Sequence, residues 1–291
     1  MRIVVTGSKG QIATSLLERA GPETDVVALS RPAFALEDRK SVLACVASAR
    51  PDVLVNAAAY TAVDKAESEE PLAAQINGEG AGHVAEAAVI AGVPLLQLST
   101  DYVFDGTLDR PYLEDDPTGP ASAYGRSKLA GERWVAELCP NSAILRTAWV
   151  YSPFGANFVR TMLRLNETRD EVDVVADQRG NPTSALDIAD ALIAIARRIR
   201  ADESPGLRGV FHMTGGGEAT WADLAEAVFA EAHAHGRRLT SVRRITTAEY
   251  PTPARRPANS RLDNARLKAV YGLALPEWRA SVARCCARLL A

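Results

Sequence analysis

The feature that most constrains the fold is an alternation of short, uninterrupted apolar runs with longer helical patterns through the first half of the chain. Ile3-Val4-Val5, Val26 to Leu29, Val53-Leu54-Val55, Leu95 to Leu98 and Ala143 to Arg146 read as strands. Between them, Gln11 to Arg19, Arg39 to Ala49, Pro71 to Ala91 and Tyr124 to Glu137 carry helical patterns. Strands with no polar face must be covered on both sides, so this order predicts a parallel sheet between two helical layers. The pattern loosens after Tyr151. A helix over Ala185 to Arg200 and a strand at Val210-Phe211-His212 are expected to return to the large sheet. Thr220 to Asp223 reads as a capping box, and helices close the chain near Asn264 to Tyr271 and Glu277 to Leu290.

Thr6-Gly7-Ser8-Lys9-Gly10-Gln11-Ile12-Ala13 follows the first strand and opens the first helix. Gly7 permits the tight turn, and Gly10 lets backbone N–H groups approach a pyrophosphate at the helix N-terminus. Ala13 keeps the helix close to the strand. The bare pattern is weak; its place at the head of an alternating chain strengthens it. The predicted fold class is α/β, a Rossmann-type doubly wound parallel sheet with a smaller mixed α/β C-terminal domain. The expected boundaries are 1–149 with 183–214 for the first domain, and 150–182 with 215–291 for the second.

Tyr124-Gly125-Arg126-Ser127-Lys128 puts a phenol and an ammonium four residues apart, on one helix face. Carbonyl reduction needs a proton delivered to oxygen as hydride reaches carbon. A nearby Lys is expected to lower the phenol's pKa and to hold ribose hydroxyls. Seven tyrosines and the five lysines (Lys9, Lys40, Lys65, Lys128, Lys268) give only about 0.1 such pairs by chance. Ser99-Thr100-Asp101-Tyr102 stands just after a central strand, where α/β sheets bind ligands, and a Ser99 or Thr100 hydroxyl there could orient a carbonyl oxygen. Asn56 to Tyr60 adds small residues after another strand. At the end of the second strand, Ser30-Arg31 stands where an acidic residue would select NADH. The absence of a carboxylate there predicts a preference for NADPH, with Ser30 and Arg31 reading the 2′-phosphate.

Other classes fall away. A net charge of −3 argues against non-specific nucleic-acid binding. Cys45, Cys139, Cys285 and Cys286 show no metal-ligand spacing and suit a reducing cytoplasm. No signal peptide and no apolar stretch approaching the ~18–20 residues of a membrane span are read. Asp64, Lys65 and Glu67 read as helix-start charges.

With these motifs in order, followed by Arg146 to Tyr151, Asp177 to Thr183, Arg256-Pro257 and Asn259 to Leu262, the chain resembles the dTDP-4-dehydrorhamnose reductases over essentially its whole length. These are extended short-chain dehydrogenases. The resemblance implies reduction of the 4-keto group of dTDP-4-dehydro-L-rhamnose to dTDP-L-rhamnose, with NADPH or NADH as cofactor. Its catalytic trio would be Thr100, Tyr124 and Lys128. Cofactor contacts would be Gly10, Gln11, Ile12, Ala59, Tyr60, Thr61 and Lys128, besides the Gly7, Ser30 and Arg31 read from the strand ends. Substrate contacts would be Thr100, Asp101, Tyr102, Trp149, Arg256 and Asn259. Ala35 stands where relatives often carry Asp at the adenine. Thr14-Ser15 stands where some relatives hold a dimer-bridging magnesium by a carboxylate, so no metal site is predicted, while a homodimer is compatible with the family. Trp149 has two readings, a core residue or the wall of a sugar pocket. The alternatives are reduction of another nucleotide-linked deoxysugar ketone, epimerase or dehydratase chemistry, or a non-catalytic subunit resembling the methionine adenosyltransferase β subunit.

Overall fold

The computed structural model describes all 291 residues. Six parallel strands form the main sheet: β1 (Arg2–Thr6), β2 (Asp25–Leu29), β3 (Val53–Asn56), β4 (Leu95–Thr100), β5 (Ser142–Thr147) and β6 (Gly209–His212). Their spatial order is β6-β5-β4-β3-β1-β2. The chain order therefore reverses between β1 and β3, the place where such sheets bind nucleotides beyond their carboxyl ends. The continuous apolar runs account for this sheet: Ile3, Val4, Val5, Val53, Leu54 and Val55 are fully buried. One face is covered by the helices Gln11–Arg19 and Ala185–Ala201, through Ala13, Leu16, Ile188, Leu192 and Ile195. The other is covered by Arg39–Ala49, Gly80–Ala91 and Ala123–Leu138. The expected return of the later helix and strand to the large sheet is observed, with β6 pairing parallel to β5.

Two expectations change in detail. Strand β4 runs to Thr100, so Ser99 and Thr100 are its last residues and do not follow it. The long helix expected from Pro71 to Ala91 is three segments, Glu70–Ala74, a π-turn at Gln75–Glu79 and Gly80–Ala91. The wide turn is a structural junction: Asn77 accepts from Tyr60 N at 2.7 Å and donates to Tyr60 O and Ser127 Oγ. Gly131 lies so close that a Cβ there would meet Asn77 O at 2.2 Å. The π-turn thus ties the loop after β3 to the helix carrying Tyr124.

The remaining residues build a second, smaller core around Tyr151, Val159, Phe229 and Trp278. Its strands are short and pair across long stretches of chain, Glu171–Val175 with Ser241–Ile245 and Arg179–Gly180 with Ala219–Thr220. The Thr220 capping box is present, with Thr220 and Asp223 exchanging both hydrogen bonds.

Candidate active site

A cleft of about 1000 Å³ opens at the carboxyl ends of β1, β3 and β4 and reaches across to the smaller core. Gly7 (φ +85°) makes the turn after β1 in the left-handed region that favours glycine, beside Ala58. Gly10 has open space where a side chain would stand, so its backbone is accessible to a phosphate. Ile12, Ala59, Tyr60 and Thr61 line the same wall. Gln11 also lines it, with its side chain already used: Oε1 accepts from Ser152 at 2.7 Å and Asn157 at 3.0 Å, and Nε2 donates to Val150 O. It ties the phosphate loop to the second core.

Thr100, Tyr124 and Lys128 come together at one end of the cleft, where β4 meets the helix Ala123–Leu138. Ser122 caps that helix, and Glu67 accepts from Ala123 N at 2.8 Å, fixing the turn that carries Tyr124. Glu67 is thus more than a helix-start charge. So is Asp64, which pairs with Arg256 at 2.8 Å and accepts from Ala254 N. Thr100 Oγ1 donates to Asp101 Oδ1 at 2.9 Å and accepts from Tyr102 N. Asp101 is 2% exposed, and its Oδ2 has no hydrogen-bond partner. Burial pushes its carboxyl up to about 6. The Tyr124 phenol is pushed up by burial and then by the Asp101 charge, with the Thr100 hydroxyl offsetting part of this. Lys128 is buried and donates to Leu98 O at 2.8 Å, and burial brings its ammonium down to about 8.

This corrects one expectation. Lys128 is not among the groups that move the Tyr124 phenol, whose pKa rises instead of falling, because desolvation outweighs every neighbouring charge. A phenol that stays protonated is a proton donor in waiting.

Tyr102 stands edge-on to Tyr124 with ring centroids 5.7 Å apart, and its hydroxyl accepts from Arg256 at 2.9 Å. Trp149 is half-buried, takes a left-handed backbone (φ +47°) and stacks on Trp221 at 3.7 Å and 5°. Both rings line the cleft. The backbone of Gly180 leaves room for Trp149 and for nothing else, since a Cβ there would lie 2.4 Å from the indole. Asn259 is elsewhere. It is buried, donates to Leu108 O and Arg110 O, accepts from Arg261, and is not among the cleft residues. Its amide is consumed in holding two loops together, so the structure does not support it as a substrate contact.

At the far end, Ser30 and Arg31 line the cleft. The expectation that no carboxylate sits there fails, because the turn after β2 brings Glu37 back to form an ion pair with Arg31. Sequence reasoning also missed Trp221, treated only as part of a capping box, and Thr147. Thr147 lies in register with Thr100 on the neighbouring strand, lines the cleft, and keeps a buried hydroxyl without a partner. Its position one residue past a predicted strand end was the available signal.

A nucleotide cleft at the sheet's switch point, with a Tyr-xxx-Lys helix beside a strand-end Thr, defines an extended short-chain dehydrogenase/reductase. The family model described as "RmlD substrate binding domain" matches residues 1–291. The chain is 53% identical over 284 residues (98% of this chain, 96% of the relative) to a dTDP-4-dehydrorhamnose reductase of Sinorhizobium fredii. It is 43% identical over 284 residues (97% and 93%) to a probable dTDP-4,6-dihydroxy-2-methyloxan-3-one 4-ketoreductase of Streptomyces antibioticus. Among solved structures, a dTDP-4-dehydrorhamnose reductase from Bacillus anthracis in complex with NADP superposes with a TM-score of 0.91 at 34% identity, covering 99% of both chains. The chain belongs to the dTDP-4-dehydrorhamnose reductase family.

Proposed function

We propose that this chain reduces the 4-keto group of dTDP-4-dehydro-L-rhamnose to give dTDP-L-rhamnose, with NADPH as cofactor and NADH as a weaker substitute. The observation that carries the reading is the convergence of Thr100, Tyr124 and Lys128 at one end of a cleft whose other end is a glycine phosphate loop. The cleft's residues fit a dinucleotide: Gly10 leaves space for phosphate, and small Ala57, Ala58 and Ala59 leave space for the adenosine and riboses. NADP in the Bacillus anthracis relative supports the cofactor.

Bound in this cleft, NADPH would supply hydride to the sugar's C4. Tyr124 delivers the proton to the carbonyl oxygen, and its burial keeps that proton in place until the oxygen becomes basic. Lys128 has N–H groups beyond the one on Leu98 O to hold ribose hydroxyls, while the Thr100 hydroxyl is the group that favours the phenolate left behind. Thr100 steadies the oxygen once the carbonyl competes with Asp101 for its hydroxyl. Trp149, Tyr102 and Arg256 form the nucleotide-sugar wall, Arg256 meeting the diphosphate. The division of labour is 1–149 with 183–214 for the dinucleotide, and 150–182 with 215–291 for the sugar nucleotide. A cytoplasmic setting, which suits four free thiols, and a homodimer complete the reading.

The test is incubation of the purified chain with NADPH and dTDP-4-dehydrorhamnose, with the product identified by NMR. Formation of dTDP-L-rhamnose is expected; cofactor oxidation without it, or a different epimer, overturns the reading. The Streptomyces antibioticus relative favours one second reading, reduction of another dTDP-deoxysugar ketone, which the same assay separates by comparing kcat/KM on both ketones.

A further inference from the structure

Behind the catalytic pair lies a buried charged cluster that the reaction as described does not use. Tyr124, Lys128 and Glu132 follow one another at four-residue spacing, so they form a single stripe along the helix Ala123–Leu138. Glu132 is 5% exposed. Its Oε1 accepts from Ser99 Oγ at 2.5 Å and from Arg146 Nε at 2.9 Å, and its Oε2 accepts from Arg146 at 2.7 Å. Ser99 immediately precedes Thr100 on β4, and Arg146 immediately precedes Thr147 on β5. One carboxylate therefore joins the catalytic helix to the ends of both strands that floor the reacting site.

A fully desolvated Arg–carboxylate pair is rarely kept for stability, because an apolar replacement of similar volume often does as well or better. What an apolar pair could not do is hold Ser99 by a charge-assisted bond and present negative charge one helical turn beyond Lys128. We infer that Glu132 is a positioning residue for this reductase: clamped by Arg146, it locks the Ser99–Thr100 strand end to the catalytic helix and serves as the counter-charge of the Lys128 ammonium.

On its own helix Lys128 stands one turn from Tyr124 and one turn from Glu132, whose charge acts on it. The turn after β4 brings Asp101 and Tyr102 to Tyr124, and β5 brings Arg146 to Glu132. The segment before the helix places Glu67 on Ala123 N and Glu70 on Arg126, both at the helix start. The π-turn contributes the uncharged Asn77 on Ser127, and the helix Gly80–Ala91 contributes Ala81 and Gly82 against Gly131 and Trp134. Of these charges, Glu132 is the one that sustains the Lys128 ammonium against burial.

The inference rests on the reductase reading, so its test carries two readouts. One is the pH profile of kcat/KM for the dTDP-sugar ketone; the other is the pH dependence of NADPH affinity, followed by cofactor fluorescence without any sugar. In the wild type both should decline above about pH 8, where Lys128 loses its proton. Glu132→Gln should move the decline down by about one pH unit in both readouts and lower kcat about tenfold at pH 7. Glu132→Asp should restore the profile while leaving kcat reduced. Because Glu132→Gln leaves Arg146 buried without a partner, a Glu132→Gln, Arg146→Met double variant removes both charges and keeps the experiment readable. Its profile should stay below that of the wild type. A double variant with wild-type pH behaviour overturns the inference, since Glu132 would then serve only to neutralise Arg146. A wild type that fails to reduce the sugar, yet whose NADPH affinity shows the Glu132-dependent shift, overturns the substrate and leaves the inference standing.

Discussion

The two ends of the cleft are built on opposite principles. At the reacting end, Thr100, Asp101 and Lys128 are all less than 7% exposed, and two of the three buried side-chain atoms without partners, Asp101 Oδ2 and Thr147 Oγ1, sit there. At the proposed adenosine end, the Arg31 side chain is 66% exposed and answers to a single carboxylate, Glu37. Buried groups with unmet hydrogen bonds are costly, and such cost is kept where a ligand or a reaction uses it. Exposed ion pairs contribute little and are easily exchanged. The chemistry should therefore be brittle to substitution, and the choice of cofactor soft.

The largest effect tests the brittle end. Tyr124→Phe removes the proton donor and nothing else, and kcat should fall about 10²–10⁴-fold while NADPH affinity holds. Turnover within threefold of the wild type would erase the contrast between the two ends.

The same end should show its cost in stability. Asp101 has a folded-state pKa of about 6 against 3.8 when unfolded. A carboxyl whose pKa is raised by folding contributes stability below the unfolded value and loses it as pH rises through the folded value. At pH 8 the charge of Asp101 thus costs about 3 kcal/mol. Asp101→Asn should raise Tm at pH 8 by several degrees and leave it unchanged near pH 4. An equal gain at both pH values would mean that packing, not charge burial, is responsible.

The proposed sugar wall lies between these extremes. Trp149→Ala should raise KM for the nucleotide-sugar about tenfold without weakening NADPH binding. Gly180→Ala should do much the same without deleting the ring, because its new Cβ would collide with the Trp149 indole and push it off Trp221, a misfit of about 1–3 kcal/mol. If Trp149→Ala instead unfolds the protein with KM unchanged, the residue belongs to the core.

How much of this was legible follows the same division. The α/β half could be read because burial on both faces imposes continuous apolar runs, and the boundaries of Gln11–Arg19 and Arg39–Ala49 coincide with their expected limits. The Tyr-xxx-Lys stripe and the phosphate loop were equally legible, since their spacing is local. The second core was not. Its strands pair across long stretches of chain, and some, such as Arg179–Gly180 with Ala219–Thr220, are only two residues long. The helix Phe158–Asn166 left a readable signal in its Asn157 cap and apolar spacing that went unused. Asn259 was read from a resemblance between motifs, which does not say whether an amide faces the ligand or the loops behind it; here it donates to Leu108 O and Arg110 O. Glu37 was missed because it is six residues from Arg31 and reaches it only through a turn.

That missed carboxylate makes the smallest prediction the most informative about the soft end. An Arg pairing with the 2′-phosphate of NADPH gains roughly 1.5–3 kcal/mol, but here it must first leave Glu37. An exposed pair of this kind is worth about 0–1 kcal/mol, so the loss is small. Glu37 can in turn accept hydrogen bonds from the ribose hydroxyls of NADH, as an acid at this place does in NAD-selective folds. The two side chains would then read different cofactors from one position. Arg31→Ala should lower the kcat/KM preference for NADPH about tenfold, and Ser30→Asp with Arg31→Ala should carry it further toward NADH. Glu37→Gln should do the reverse, raising the preference for NADPH by no more than about fivefold, the equivalent of 1 kcal/mol. Raising the salt concentration should shrink both effects, because exposed charges are screened. A wild type that favours NADH, or a Glu37→Gln variant that moves toward NADH, would mean that this ion pair does not read the 2′ position and that cofactor choice is made at the buried end after all.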